Sequence, residues 1–247
     1  MESKSFQDEF FILKVSDWKS ADKFITCFTR LNGKVSAISY GAKYLKSTSG
    51  GRLLQPFAHL QGQFFRGRKF DNLKSCEIVK KPENVIDLKI LGYSSLIAEV
   101  VQNLTEYHEP QEEIFDLLLV TFAAMHKHNP RIVAVSAICK ILAFTGFSPR
   151  IDVCTTCGKE MIAIDKAYFS VVQGGTLCED CSGRSEVDFS KGKRELMKTL
   201  LLLDLEDPPK FTVSLADLIG VEKILNRFMY FQTDRELKSL DFLKQIG

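Results

Sequence analysis

The sequence predicts a multidomain α+β protein in which a small closed β-barrel is followed by an α-helical domain that contains an inserted four-cysteine module. Three observations predict this architecture: short segments with a period of two up to about residue 80, helical periodicity after Pro82, and two cysteine pairs that interrupt the helical region. The predicted boundaries are residues 1–81 for the barrel, 82–150 together with 184–247 for the helices, and 151–183 for the inserted module.

The N-terminal region has the pattern of a compact β-domain. Residues 34–40 alternate polar and apolar side chains, as a strand with one buried face should. Asn32-Gly33 precedes this strand and favours a tight turn, because both residue types tolerate positive φ. Residues 53–65 and 73–79 have the composition of further strands. About five strands within roughly 80 residues favour a closed barrel.

The region after the barrel follows the period of α-helices. Two helices are predicted within residues 88–125, and a third, over residues 132–144, is apolar on almost every face apart from Lys140. We therefore expect the third helix to lie at the centre of a helical core. Two more helices are predicted after the cysteine pairs, at about residues 193–203 and 215–231.

The formal charge is unevenly distributed along the chain. Residues 31–81 contain ten basic residues and two acids, a net charge of +8, so the rest of the chain carries −6 out of the total of +2. Within this stretch, residues 41–52 form a segment rich in Gly, Ser and cations. Such a concentration of cations favours a polyanionic partner, and nucleic acid is favoured over a membrane because no amphipathic helix accompanies the basic residues.

Residues 64–70 interleave phenylalanines with cations and allow two interpretations. Bases could stack on exposed rings while Arg66, Arg68 and Lys69 follow the phosphates. Alternatively, the phenylalanines are buried in the barrel and only a charged rim faces the solvent. We expect most of these rings to be buried.

Two C-x-x-C pairs form the most specific motif in the chain. Cys154 and Cys157 are separated from Cys178 and Cys181 by 20 residues, a spacing typical of zinc ribbons. Redox dithiols are the alternative, but a redox motif needs only one pair. Four protein ligands leave no open coordination position, so we expect one structural zinc ion. The other cysteines lie in apolar segments and are predicted to be core residues: Cys27, Cys76 and Cys139.

The sequence lacks the common nucleotide-binding and nucleophile motifs G-x-x-x-x-G-K-[ST], G-x-G-x-x-G and G-x-S-x-G. The acid pairs Glu112-Glu113 and Glu206-Asp207 are better explained by the first turn of a helix and a surface loop. We therefore expect a protein without enzymatic activity. The N-terminus does not resemble a secretory signal, and no apolar run reaches the roughly 20 residues of a bilayer span. A cytoplasmic protein is expected.

Several short segments, in a fixed order, carry a family resemblance. They are Gly33-Lys34-Val35, Tyr40-Gly41-Ala42-Lys43, Leu54-Gln55-Pro56-Phe57, Tyr93, Gly146-Phe147, Cys154-x-x-Cys157-Gly158 and Leu237-Lys238-Ser239-Leu240. In this order they resemble the RecO family of bacterial recombination and repair proteins over essentially the whole chain. The resemblance implies an N-terminal OB-fold, binding of single- and double-stranded DNA, and annealing of complementary strands. It also implies cooperation with RecR to help load RecA on DNA covered by single-strand-binding protein, and a nucleoid-associated place in the cytoplasm.

The resemblance places a DNA-binding surface on the barrel. The basic loop of the family falls on Lys43, Lys46 and Arg52, beside Lys34 on the preceding strand. The cations of residues 64–70 extend this surface. The candidate DNA-binding residues are therefore Lys34, Lys43, Lys46, Arg52, Arg66, Arg68 and Lys69.

A second candidate surface lies in the helical domain. Some members of the family bind the acidic tail of single-strand-binding protein there, and Arg131 and Lys140 are the candidate cations in this chain. The alternative function is a protein-interaction scaffold with only weak, nonspecific DNA binding.

Overall fold

The computed structural model describes residues 5–44, 51–80, 87–183 and 186–246 of the chain. The chain divides into two compact units, one that extends to Phe122 and one that begins at Ala123. The first unit contains the β-barrel, and the second contains the two cysteine pairs.

The first unit is built around a closed barrel of five strands. The order around the barrel is β1-β2-β3-β5-β4, and β4 pairs with β1 to close it. Every pairing among these strands is antiparallel except that of β3 with β5, which is parallel. This is an OB-like barrel, so the fold predicted for the N-terminal region is confirmed. The strands are β1 (Ser5–Trp18), β2 (Asp22–Thr29), β3 (Gly33–Ser39), β4 (His59–Phe65) and β5 (Asp71–Lys80).

Alternate residues of the strands fill the interior of the barrel. On β1, Phe10 and Ile12 are fully buried, and a bulge between Ile12 and Lys14 shifts the alternation. The ring of Phe64 on β4 packs edge-on against Phe10, with centroids 5.1 Å apart. Gly62 leaves room for this contact, because a Cβ there would lie 3.0 Å from the Phe10 ring. The apolar core therefore depends on one small residue in β4.

The turn between β2 and β3 confirms the prediction made from Asn32-Gly33. Residues 30–32 form the turn, and Gly33 begins β3 with a φ of 62°. A Cβ at this position would lie 2.0 Å from the carbonyl oxygen of Glu109. The position thus requires glycine both for its positive φ and for a close backbone approach.

Two helices follow the barrel, α1 (Leu88–Leu104) and α2 (Glu112–Ala124), within the span that the sequence predicts to be helical. Asp87 caps α1, because its carboxylate accepts hydrogen bonds from two backbone N–H groups of the first turn. Phe115 on α2 packs against Phe11 of β1, with ring centroids 5.4 Å apart. Helical packing therefore covers part of the barrel.

The described part of the second unit contains a helical core and a small sheet of strand order β7-β6-β8. Helix α3 packs against α4 and α5. Nine of its fifteen residues are buried, which confirms that the third helix is the centre of the helical core. The elements are α3 (Pro130–Phe144), β6 (Tyr168–Ser170), β7 (Gly175–Leu177), β8 (Val187–Asp188), α4 (Lys191–Leu202), α5 (Leu215–Thr233) and α6 (Ser239–Ile246).

The limits of α3 follow known sequence preferences. The side chain of Asn129 accepts a hydrogen bond from the backbone N–H of Arg131 at 3.0 Å, and Pro130 occupies the first turn. Gly146, just beyond the helix, has a φ of 82°. Among the described residues, no helix combines the length and the apolar character needed to cross a membrane.

The sheet of the second unit extends past the predicted end of the cysteine module. Strand β8 pairs with β6 although it lies beyond residue 183. The predicted domain boundaries at residues 81, 150 and 183 stay predictions.

Candidate metal centre and nucleic-acid interface

The four cysteines of the C-x-x-C pairs lie together in the second unit. The Sγ atoms of Cys154, Cys157, Cys178 and Cys181 are all within 4.8 Å of one another. Those of Cys157 and Cys178 are 3.8 Å apart. Tetrahedral Zn–S bonds of about 2.3 Å separate neighbouring sulfurs by about 3.8 Å. The cluster therefore has the dimensions of a four-thiolate zinc site.

Two tight turns and a hairpin bring the pairs together. In the first pair, the N–H of Gly158 donates to the carbonyl of Cys154 at 2.9 Å, and Gly158 has a φ of 74°. In the second pair, the N–H of Cys181 donates to the carbonyl of Cys178 at 3.1 Å. The β6–β7 hairpin returns the chain from the first pair to the second. Two local turns and one hairpin thus place the four sulfurs together.

Hydrogen bonds from the backbone stabilise negative charge in the cluster. Burial raises the pKa of the Cys154 thiol, but the backbone N–H groups of Cys157, Cys178 and Thr156 outweigh this effect and lower the pKa to about 6. Hydrogen bonds with Cys178 and Cys157 raise the pKa of Cys181 to about 12. The backbone therefore stabilises a thiolate at Cys154. A soft divalent cation such as Zn²⁺ fits this donor set.

A buried arginine joins the cysteine module to the helical core. Arg194 on α4 is only 3% exposed. Its guanidinium donates to the carbonyl oxygens of Phe189 at 2.6 Å and Met161 at 2.9 Å, and also to that of Ile164. Met161 is fully buried in the apolar cluster that includes two of the cysteines. The guanidinium therefore fixes the backbone of the module to α4.

The three remaining cysteines have the environment of structural residues. Cys27 and Cys139 are buried, and Cys76 is partly buried. Burial raises the pKa of Cys76 to about 11, that of Cys139 to about 12 and that of Cys27 well above its usual range. Such thiols stay protonated and react slowly. These environments agree with the core role that the sequence predicts.

The candidate DNA-binding residue Lys34 is buried. It is 5% exposed, and its ammonium donates to the carbonyl oxygens of Gln102, at 2.7 Å, and Thr105 at the C-terminal end of α1. The ammonium also lies 4.5 Å from the centroid of the Tyr107 ring. Its positive charge therefore stabilises the negative end of a helix. This placement corrects the expectation that Lys34 faces DNA.

Replacing Lys34 with methionine is expected to lower the free energy of unfolding by about 2 kcal/mol, because one buried and one partly buried carbonyl group lose their donor. Urea denaturation measures this loss. The salt dependence of DNA binding should stay at the wild-type value, whereas loss of a phosphate contact would lower the slope of log K against log [salt] by about 0.7 for single strands. A reduced slope of log K against log [salt] with unchanged stability would show that Lys34 contacts DNA.

The cations of the loop after β3 differ in their surroundings. The ammonium of Lys43 pairs with the carboxylate of Asp17 at 3.1 Å and lies 3.4 Å from the carbonyl oxygen of Lys19. Arg52 is exposed, and Lys46 lies outside the described residues. Lys43 and Arg52 are thus both exposed, and Asp17 compensates the charge of Lys43.

The β4–β5 loop carries the other three DNA-binding candidates. The guanidinium of Arg66 stacks 4.2 Å from the ring centroid of Phe6 and pairs with Asp71 at 3.3 Å. Arg68 and Lys69 are exposed. Arg66 therefore helps to hold the loop, whereas Arg68 and Lys69 present their charges to the solvent.

The aromatic residues of the same segment are divided between core and surface. Phe64 is fully buried, Phe65 is 39% exposed and Phe70 is partly exposed. Phe70 packs against Trp18 and Phe24, with ring centroids 5.9 Å and 4.9 Å away. Periodicity does not identify Trp18 as a candidate, because its partner Phe70 is distant along the chain. A lone tryptophan at the end of a strand, followed by a lysine, is the signal available in the sequence.

The two candidate partner-binding cations make contacts within the second unit. The guanidinium of Arg131 donates to both carboxylate oxygens of Glu222 on α5, at 2.7 Å and 2.6 Å. The ammonium of Lys140 donates to the carbonyl of Leu201 on α4 at 2.8 Å, and burial lowers the pKa of Lys140. Both residues thus connect helices, and a role in partner binding would come in addition to this one.

The strand order of the barrel identifies the structural class of the protein. A barrel of this strand order is the architecture of OB-fold modules, which bind oligonucleotides through β2, β3 and the flanking loops. Here it carries exposed cations and is joined to a helical region with a four-thiol cluster. Together these features define a protein with an OB-like barrel and a helical region that contains a possible four-thiolate metal site.

Comparison with known proteins identifies the family within this class. The family model for the N-terminal part of recombination protein O matches residues 1–82, and the model for its C-terminal part matches residues 86–241. The chain belongs to the RecO family.

Curated relatives named DNA repair protein RecO align over nearly the whole chain. The relative from Desulforamulus reducens is 27% identical over 98% of this chain and 95% of its own length. The relative from Symbiobacterium thermophilum is 29% identical over 94% of each chain. The relative from Gloeobacter violaceus is 32% identical over 91% of this chain and 87% of its own length. The family match therefore extends across both units.

Proposed function

We propose that the protein binds single- and double-stranded DNA and anneals complementary strands as a non-enzymatic mediator of recombination and repair. The proposal is carried by the exposed cations Arg52, Arg68 and Lys69 on an OB-like barrel in a chain of the RecO family. In this role it would act with RecR to help load RecA on DNA covered by single-strand-binding protein. Its place would be the cytoplasm, at the nucleoid.

The proposed mechanism is electrostatic and needs neither ATP nor an active site. Two DNA strands repel each other, and cations that bind their phosphates release condensed counterions and reduce this repulsion. The guanidinium of Arg68 can contact phosphate oxygens through two parallel donors, whereas Lys69 acts as a point charge. Holding two strands at one positive surface would therefore speed their pairing.

The same proposal includes one structural zinc ion bound by Cys154, Cys157, Cys178 and Cys181. The ion would cross-link the two turns and supply folding energy to a module with little apolar core of its own. The chain contributes the backbone N–H groups that stabilise the Cys154 thiolate. Arg194 anchors the module to α4.

Removing three exposed barrel cations tests the DNA-binding proposal. The triple variant Arg52→Ala, Arg68→Ala, Lys69→Ala is expected to bind a labelled single-stranded oligonucleotide at least about tenfold more weakly at low salt. The slope of log K against log [salt] should fall by about 2, because each lost phosphate contact contributes about 0.7. Fluorescence anisotropy at several salt concentrations measures both quantities, and annealing to the complementary strand is followed in the same samples.

A matched control removes the same charge from the second unit. The variant Lys210→Ala, Lys223→Ala, Arg227→Ala changes three residues that are also exposed. It is expected to keep the wild-type slope and annealing rate. Equal losses in the two variants would mean that net charge alone governs binding. A wild-type protein that binds neither form of DNA at low salt would overturn the proposal.

A protein-interaction scaffold is the second candidate function. It is favoured by the ion pairs that compensate Lys43 and Arg66 within the barrel. Arg131 and Lys140 are its proposed contacts for the acidic tail of single-strand-binding protein. The scaffold function predicts that a complex with this partner persists at a salt concentration where DNA binding has disappeared.

A further inference from the structure

An aromatic cluster lies on the surface of the barrel between two loops. Trp18 ends β1, Phe24 lies on β2 and Phe70 ends the β4–β5 loop. The ring centroids are 5.6 Å apart for Trp18 and Phe24, 4.9 Å for Phe24 and Phe70, and 5.9 Å for Trp18 and Phe70. All three residues are partly exposed, and the apolar cluster that fills the barrel does not include them. Their clustering is therefore not explained by filling the core.

Two lysines lie close to this aromatic cluster, in space or along the chain. The ammonium of Lys69 lies 5.3 Å from the ring centroid of Phe70. Lys19, which directly follows the tryptophan, is exposed. The neighbouring carboxylate of Asp17 pairs with Lys43 at 3.1 Å, so its negative charge is compensated. The cluster thus combines flat apolar rings with nearby cations.

Two further exposed rings lie near the same end of the barrel. Tyr40 is 56% exposed and Tyr44 is 68% exposed. Hydrogen bonds from the backbone N–H groups of Gly41 and Lys43, 2.9 Å and 3.0 Å long, hold this segment against residues 21–22 at the β1–β2 turn. The segment with the two tyrosines therefore lies beside the β1–β2 turn, which Trp18 and Phe24 flank.

Resting on the proposed DNA binding, we infer that Trp18, Phe24 and Phe70 form a platform on which unpaired bases stack. Aromatic rings bind bases without regard to sequence, because every base has a π-face, and adjacent cations follow the phosphates. In a duplex the bases already stack on one another and do not offer their faces. The platform therefore selects single-stranded over double-stranded DNA. The nearby cations favour this polyanionic occupant over an apolar protein segment.

The proposed site contains its own spectroscopic probe, because Trp18 is the single tryptophan of the chain. A single-stranded oligothymidine added to the full-length protein is expected to quench most of the tryptophan emission. A duplex of the same length is expected to quench it much less at equal occupancy. Anisotropy of the labelled DNA, recorded in the same titration, gives the occupancy independently.

Substitutions then measure the contribution of the platform. Trp18→Ala is expected to weaken binding of single-stranded DNA on the order of tenfold, with little effect on duplex binding. Trp18→Phe retains a ring and is expected to recover most of the loss. Phe65→Ala removes an exposed phenylalanine outside the cluster and should bind as the wild type does. The wild-type fluorescence titration needs no substitution, so it tests the stacking platform even if a variant folds poorly.

The outcomes separate this inference from the proposed function. Binding seen by anisotropy without quenching of Trp18, or quenching that is equal for single strands and duplex, would overturn the platform and leave DNA binding in place. Absence of an anisotropy change with both forms of DNA would overturn the proposed function and the platform with it. Selective quenching together with the Trp18→Ala defect would establish the platform.

Discussion

Replacing Cys178 with serine is expected to remove the bound metal and to unfold the segment around the cluster. One of four thiolates is lost, and the apparent binding free energy of a structural zinc site, about 10–16 kcal/mol, is largely lost with it. Atomic absorption should find about one zinc per chain in the wild type and close to none in Cys178→Ser. Limited proteolysis should cleave the variant within residues 151–183, a region that is expected to resist cleavage in the wild type.

Cys76→Ser is the matched control for this experiment, because it removes a partly buried thiol from the barrel and leaves the cluster intact. Its zinc content should equal that of the wild type. The metal should also leave the wild type as the pH falls, since protons compete with it for the thiolates. Full zinc content in Cys178→Ser, or a wild type that is isolated without metal and resists proteolysis, would contradict the zinc assignment.

The parts of the fold that the sequence predicts correctly are those that depend on residues close to one another along the chain. The alternation in residues 34–40 predicts β3, and Asn32-Gly33 predicts the turn before it, because both depend on neighbouring backbone conformations. The C-x-x-C spacing predicts the four-thiol cluster for a similar reason. Each pair closes its own turn, so only the β6–β7 hairpin has to be added.

The one site residue that the sequence misplaces, Lys34, has partners that are distant in sequence. The alternation in β3 suggests that Lys34 faces the solvent, but six of the seven residues of this strand are buried, so its polar side is covered as well. The acceptors of Lys34 lie 68 and 71 residues further along the chain. Arg131 likewise pairs with a carboxylate 91 residues away, which the sequence does not reveal, and its role in partner binding stays a prediction. Charge patterning locates cations, but it does not reveal which of them are used inside the fold.

Replacing Arg194 with methionine is expected to lower the free energy of unfolding of the second unit by about 3–5 kcal/mol. The methionine keeps much of the side-chain packing, but three carbonyl groups, two of them in buried hydrogen bonds, lose their donor, and each buried unpaired group costs about 1–3 kcal/mol. Burial lowers the pKa of Arg194, yet a guanidinium stays protonated, so the wild-type contacts persist at neutral pH. Urea denaturation followed by circular dichroism measures the loss.

Zinc retention gives the Arg194 prediction a second readout. Two of the three carbonyl acceptors, those of Met161 and Ile164, belong to the backbone that packs around the cysteines. The Arg194→Met protein should therefore release zinc to a chelator faster than the wild type, and Arg194→Lys should be intermediate because one ammonium cannot reach all three acceptors. The control Arg227→Met, at an exposed position on α5, should change stability by less than about 0.5 kcal/mol. Wild-type stability and zinc release in Arg194→Met would show that the module holds its shape without α4.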